Sequence, residues 1–485
     1  MNNRLIVSMV AWATLLVMLP FGSASAQFVV TEIIDANGDG TNGLASPRAI
    51  AADAVGNIYV TGDANDNAFL ITPDGVIAQI IDATGDGAGN TLDGPRGVTT
   101  DDAGNVYVTG AFSNNAFRIT PLGFSSLITQ IIDATGDGTH TLNGPRGVAV
   151  NAAGVVYVAG IGGDNAFRIT PAGFSALSAQ IIDATGDGGG NVLNFPSAIA
   201  VDADGNVYVA GLTSDNAFKI TPNGVVTQII DATGDGANPL DGPEGIAVDA
   251  AGNVYVAGSS SDNAFRITPD GVITQIIDVT GDGAGHGLQE LSDIAVDAAG
   301  NVYVTGVDTN NAFQITPDGI ITQIIDATGD GAGNGLDSPE SIAVDAAGNI
   351  YVVGLTSDNA FRITADCDNN GIADDTETDS DGDGTIDGCD NCPDDPDKID
   401  PGQCGCGTAD VDTDGDGVCD ADDVCAAGDD TVDTDGSGTP DACDDEPLAP
   451  TTTNCCGGGM PAVLPLMIWG WSRTGRKRRR PRSNS

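Results

Sequence analysis

Near the C-terminal end, four stretches set oxygen-bearing side chains at alternate positions ahead of a glycine. In one, Asp379, Asp381 and Asp383 precede Gly384 and are followed by Asp387 and Asp390; in another, Asp412, Asp414 and Asp416 precede Gly417 and are followed by Asp420 and Asp423. Asp366, Asp368, Asn370, Asp374 and Glu377 repeat the spacing with an amide in third place, and Asp433, Asp435, Ser437, Asp441 and Asp444 repeat it with a hydroxyl there. Alternation puts the oxygens on one concave side, and glycine allows the sharp turn between them. Each loop therefore offers several oxygen ligands to a hard cation, and Ca2+ is the expected ion.

A weaker form of the pattern lies earlier in the chain. Asp82, Thr84, Asp86, Asn90 and Asp93 have the spacing of a calcium loop around Gly87, and Asp326, Thr328, Asp330, Asn334 and Asp337 repeat it. The equivalent stretches from Asp133 and Asp231 are one residue shorter, and the last ligand position is Ser46 in the first copy and Gln289 in the sixth. These loops also read as Asx-rich turns tied by their own backbone.

Histidine chemistry has little to work with, since the chain holds only His140 and His286 and no Ser-His-Asp or Cys-His set. All ten cysteines lie between Cys367 and Cys456, eight of them in the acidic segment. An even number in an exported segment with little apolar core points to disulfides of open connectivity. Zinc at Cys389 and Cys392, or at Cys404 and Cys406, is the alternative.

The elements that position these groups come from a repeat. The aspartate opening the Asp-Gly loop recurs at Asp35, Asp82, Asp133, Asp183, Asp231, Asp278 and Asp326, a period of 47 to 51 residues. Each unit holds four strand-like runs, here called a to d; in the fifth they are Gly245–Asp249, Asn253–Ala257, Asn263–Thr268 and Val272–Ile277. Short glycine-containing links join a to b and c to d, so neighbouring runs pair antiparallel. A lone meander leaves its apolar faces wet, so the copies must stack around an axis. The last set stops at Thr364 without its strand d, whereas Phe28–Asp35 is a strand d with no a, b and c before it. Pairing the two closes the ring and removes its exposed edges. The expected fold is all-β, a seven-bladed β-propeller of four-stranded antiparallel blades closed by the N-terminal strand, followed by an irregular, disulfide-rich calcium-loop domain.

Within the repeat, Phe69, Phe117, Phe167, Phe218, Phe265, Phe313 and Phe361 keep register with apolar neighbours and read as core between blades. Asp53, Asp249, Asp297 and Asp345, which close strand a, read as turn caps. One position breaks the repeat in an ordered way: after the residue that leads into strand a come Arg48, Arg96, Arg146, Ser197, Glu244, Ser292 and Glu340. Arg48, Arg96 and Arg146 are expected as a basic arc at the channel mouth, suited to gripping an anion. Pairing of Arg48 with Glu340, and of the others with acidic loops, is the competing expectation.

Residues 245–258 resemble the NHL and related seven-bladed propeller repeats, and the resemblance covers roughly residues 27–365. It implies fold more than function, because propellers host many unrelated activities. The acidic loops, with Asp390-Asn-Cys-Pro393 beside them, resemble thrombospondin type 3 repeats, although their spacing is uneven.

The formal charge of −52 argues against the chain as a whole being a nucleic-acid binder. Residues 366–446 carry 29 of the 69 acidic side chains and one basic residue, Lys398, so the segment repels itself unless cations neutralise it. At the N-terminus, Arg4, an apolar run and Ala24-Ser-Ala26 read as a signal peptide over residues 1–26. Residues 27–365 are the propeller, 366–446 the calcium-loop segment, and 447–459 a linker ending in Cys455-Cys-Gly-Gly-Gly459. Residues 460–485 join a short apolar run to Arg476–Arg480, an order that resembles bacterial C-terminal sorting signals and implies transient membrane contact. A heparin-binding or nucleic-acid-binding patch is the other reading of that basic end.

These features point to a secreted or cell-surface calcium-binding monomer with a propeller recognition head for an extracellular protein, peptide or glycan. The alternative is a propeller lyase or hydrolase acting on an extracellular substrate, which NHL-like enzymes exemplify.

Overall fold

The computed structural model describes residues 27–122, 125–172, 175–368, 370–413, 415, 418–421, 423, 433, 439–441 and 443. The expected signal peptide, linker and sorting tail lie outside these residues. The chain divides into two compact units, one running to Pro393 and the other beginning at Asp394.

Seven four-stranded antiparallel sheets make up the first unit, each ordered a-b-c-d. In the fifth blade the strands are Pro243–Val248, Val254–Gly258, Asn263–Ile267 and Ile273–Ile277. The seventh is built from Pro339–Val344, Ile350–Gly354 and Asn359–Asp366, and its strand d is Gln27–Ile34 from the opposite end of the sequence. Register runs from Gln27 opposite Asp366 to Ile34 opposite Ala360, so the ring is closed as the repeat predicts.

Strand b is buried along its whole length in every blade, because its two faces meet the two neighbouring sheets. Val, Tyr and Ile suit that double-sided position. The core is accordingly a series of inter-blade layers. At the closing seam, Tyr351, Val353 and Ala360 of blade 7 pack with Ile50, Ile58, Val60 and Phe69 of blade 1. The seven repeat phenylalanines are fully buried in such layers, where the sequence places them.

The turn between strands a and b shows why its sequence is so constant. Asp249 accepts the Asn253 backbone N–H at 2.8 Å through Oδ1, and through Oδ2 it accepts the Asn253 amide at 2.7 Å and the Tyr255 phenol at 3.0 Å. Asp53, Asp101, Asp202, Asp297 and Asp345 receive Tyr59, Tyr107, Tyr208, Tyr303 and Tyr351 in the same way. Blade 3 has Asn151 in place of the aspartate. Burial, together with the adjacent carboxylate, pushes the Tyr255 phenol up to about 12, and the other six tyrosines are also raised, burial being the first cause.

The folded state thus holds these protons more tightly than the unfolded chain. The stabilisation is complete below the free phenol value of about 10 and is lost as pH rises through the folded values. The tyrosines are expected to stay neutral at about pH 10 and then ionise together with unfolding, in one steep step of tyrosinate absorbance. A titration half-complete near pH 10 with native circular dichroism would contradict the clasp.

Candidate functional site

The blades are stitched together on the face that carries the d-to-a and b-to-c loops. Asp66, Asn114, Asp164, Asp215, Asp262, Asn310 and Asp358 all have φ between 48° and 55°. Each accepts, through Oδ1, the N–H of the residue that precedes strand a of the next blade: Gly94, Gly144, Phe195, Gly242, Glu290, Ser338 and, across the seam, Ser46. Asn and Asp tolerate the left-handed region and supply the acceptor, so both properties are used. The donating residues also have positive φ; three are glycine, whereas Ser46, Phe195, Glu290 and Ser338 are not.

This stitching fixes the start of every strand a around the axis. A cavity of about 170 Å³ there is lined by Arg48, Arg96, Arg146, Ser197, Glu244, Ser292, Asp293 and Glu340, among others. The structure therefore brings Arg48, Arg96 and Arg146 together at the channel. It also gives them carboxylate partners. Arg48 meets Asp63 at 3.0 Å and Glu340 at 2.8 Å, the pairing across the seam that the sequence offers as the competing expectation. Arg146 reaches across to Glu244 at 3.3 Å and Glu340 at 3.4 Å. Arg96 touches a carboxylate only through Nε, at 3.5 Å from Asp63, and its guanidinium lies 4.9 Å from the centre of the Phe112 ring.

Asp293, Asp63 and Phe112 were not legible as site residues from the repeat pattern, yet each is a departure from it. The Asp293 position is Ala49, Gly97, Gly147, Ala198, Gly245 or Ser341 in the other blades. Asp293 accepts hydrogen bonds from Ser341 Oγ at 2.7 Å and from the Ile342 and Ile294 N–H groups at 3.1 and 2.9 Å. Burial pushes its carboxyl up, while these hydrogen bonds and Arg146 pull the other way. It ties blade 6 to blade 7 inside the channel wall.

The d-to-a loops spend their oxygens internally. Asp82 accepts the Thr84 N–H at 2.8 Å and its hydroxyl at 2.5 Å, and Asp86 accepts the Ala88 N–H at 2.9 Å and the Asn90 amide at 2.6 Å. Asp326 with Thr328, and Asp330 with Asn334, repeat both pairs. Asp93 and Asp337 stand apart, their N–H groups bound by Ser113 and Ser357. The side chains with calcium-loop spacing form two self-contained pairs per loop rather than one converging set. His140 and His286 each bond an aspartate of their own loop, at 3.0 Å from Asp137 and 2.6 Å from Asp282, on different blades.

The acidic loops behave differently. Asp379, Asp381 and Asp383 place one oxygen each within 4.8 Å of one another. In the same loop Asp390 is 7% exposed, and Oδ2 of Asp390 and Oδ2 of Asp381 are buried without a hydrogen-bond donor. Burial, together with Asp383, Asp390 and Asp379, pushes the Asp381 carboxyl up. Acceptors of one sign grouped in this way are residues that could hold a hard cation. In the first loop the Asn370 amide donates to Asp368 at 3.0 Å and Glu377 at 2.7 Å, bridging the second and last ligand positions, and Glu377 Oε2 is a buried orphan.

Three loops share a clasp that spacing alone does not reveal. Asp374, Asp387 and Asp420 accept the N–H of the loop's second residue, from Cys367 at 3.0 Å, Ser380 at 2.8 Å and Thr413 at 2.7 Å. Asp366, Asp379 and Asp412 accept backbone N–H groups of the glycine turn. Asp414, Asp416, Asp435, Ser437 and Asp444 lie outside the described residues, and Asp423 donates its N–H to the Cys419 carbonyl at 2.8 Å. Disulfides join Cys367 to Cys389 and Cys404 to Cys419, and Cys392, Cys406 and Cys443 are also disulfide-bonded. That chemistry consumes the thiolates the zinc alternative needs.

The fold and its repeats define the chain as a seven-bladed β-propeller protein. A repeat family described as SBBP, beta-propeller repeat, matches residues 29–69, 179–219, 226–266 and 321–362. Among solved structures, virginiamycin B lyase from Staphylococcus aureus is similar with a TM-score of 0.53 and 19% identity, covering 70% of this chain and 99% of that one. A streptogramin B lyase matches with a TM-score of 0.52 and 15% identity, over 70% of this chain and 98% of that one. At such identities the likeness is one of fold. No curated protein is similar in sequence.

Proposed function

We propose that this is an exported, calcium-binding recognition protein whose propeller takes an anionic extracellular ligand at the channel mouth. The observation that carries the reading is where the blades differ. The turns, clasps and inter-blade layers are repeated nearly unchanged, whereas Arg48, Arg96, Arg146, Ser197, Glu244, Asp293 and Glu340 break the repeat at one end of the axis. Departures gathered at one end of the axis suit an asymmetric ligand. Arg96, with the fewest carboxylate contacts of the three arginines, is the natural first grip, and Arg146 follows by exchanging a carboxylate for the ligand's anion.

The acidic loops supply the calcium sites, held by Asp379, Asp381, Asp383 and Asp390 in the second loop and by Asp366, Asp368, Asn370 and Glu377 in the first. A bound ion there would neutralise carboxylates and order the loop. The reading includes secretion or surface display through the terminal segments. Lyase chemistry is the weaker reading: the inactive virginiamycin B lyase variant solved with quinupristin is a histidine-to-alanine change, and here both histidines are bound within rim loops.

Replacing Arg96 and Arg146 together by Gln tests the site. Acidic polymers bound by the parent are expected to lose roughly tenfold in affinity per guanidinium, with a melting temperature changed by no more than a few degrees. Undiminished binding, or collapse of the fold, would make the arginines structural.

A further inference from the structure

Two phenylalanines are exposed on the loop face, and both are exceptions to the repeat. Phe112 is 61% exposed in the b-to-c loop of blade 2, where the other blades carry Ala64, Gly162, Thr213, Ser260, Asp308 and Thr356. Phe195 is 45% exposed just before strand a of blade 4 and has φ 54°. A bulky side chain is rare and strained in the left-handed region, and three blades use glycine at this position. An exposed ring gains nothing from core burial to offset that strain, which marks Phe195 as retained for contact with something outside the chain.

The stitching places the two rings on either side of blade 3. The loop of Phe112 receives the Gly144 N–H on Asn114, and the loop of blade 3 receives the Phe195 N–H on Asp164. Between them Gly144, Gly162 and Gly163 carry no side chain, with Ile161 packed beside Gly144 and Asn143 donating its amide to the Gly162 carbonyl at 3.1 Å. At the inner end stands Arg96, its guanidinium over Phe112 and bonded to protein only through Nε.

We propose that this strip across blade 3 binds an acidic oligosaccharide, resting on the reading of the channel mouth as an anion site. The apolar faces of successive sugar rings stack on Phe112 and Phe195, the glycine floor lets the chain lie flat, and a uronate carboxylate takes the free edge of Arg96. The separation of the rings by a whole blade calls for an extended ligand rather than a single sugar. A peptide would need pockets for its side chains, which the glycine floor does not offer.

The test uses the full chain, titrated calorimetrically with an oligogalacturonide, a neutral galactan oligomer and poly-glutamate. The oligogalacturonide is expected to bind, and the neutral oligomer and poly-glutamate at least tenfold more weakly. Phe195→Gly is expected to melt at or above the parent temperature while losing up to about tenfold in affinity, and Phe112→Ala to lose a similar factor. Oligogalacturonide binding that is lost in Arg96→Gln but untouched in both Phe variants would overturn the strip while leaving the anion site standing. Equal, Phe-dependent binding of poly-glutamate would replace the glycan by a peptide, and a large fall in melting temperature for Phe195→Gly would make the ring structural. No binding of any probe by the parent would remove the strip and the anion site together.

Discussion

A chain lacking Gln27–Ile34 is expected not to fold cooperatively. That strand supplies the whole of strand d to blade 7 and pairs with Asn359–Asp366 along its length. Its side chains also fill two inter-blade layers, Phe28 and Val30 on one side and Ile33 and Ile34 on the other. Four apolar side chains, some only partly buried, are worth roughly 5 kcal/mol at the usual 1.5–3 kcal/mol for full burial. A typical domain has about 5–15 kcal/mol in total. The deletion also exposes the edge of strand c, a template for aggregation. Loss of the sharp thermal transition, with oligomers by light scattering, is the expected outcome; a deletion variant that melts as the parent does would reject closure by this strand.

Calcium is expected to have the second largest effect, and to act on the propeller as well as on the loops. Asp366 is the last residue of the closing strand c, paired with Gln27, and also the first ligand position of the first loop. It is 2% exposed and holds the Asn370 and Gly371 N–H groups. Asp375, in the helical turn Asp374–Thr376 of that loop, pairs with Arg362 on the same strand. An ion that orders the loop therefore holds the ring's closing pair. A site filled to about 100 times its dissociation constant adds about 2.7 kcal/mol. The expected results are a propeller transition several degrees higher with calcium than in chelator, a smaller hydrodynamic radius and protection from protease. Asp368→Asn, a change at an exposed ligand position of that same loop, should weaken the propeller's response to calcium while leaving the transition in chelator nearly unchanged. Identical radius and melting across a calcium titration would contradict the coupling.

The ring was readable because each of its parts is written locally and then repeated. Pro-Asp-Gly and Ala-Gly-Asn turns fix antiparallel neighbours, and the stray strand at the N-terminus matches the one missing at the other end. What escaped was set by tertiary placement. The Asp or Asn at positions such as Asp262 stands just ahead of strand c in the sequence, but its left-handed backbone and its hold on Glu290 depend on the next blade being there. Asp63 gained its role with Arg48 and Arg96 only when the b-to-c loop of blade 1 folded over the channel. Spacing counts Asp374, Asp387 and Asp420 with the ligands, and it cannot show that each also closes its loop on a backbone N–H. Nothing in the repeat pattern singles out Phe195, whose interest lies in its φ and its exposure taken together.

The most direct test of the recognition reading is an array of glycans and peptides probed with the full chain, at low and high salt, with and without calcium. Acidic features should bind at low salt, fade at high salt as a charged grip requires, and disappear for the Arg96→Gln, Arg146→Gln double variant. Binding confined to neutral features, or acidic binding that survives both salt and the double variant, would contradict a recognition site at the channel mouth.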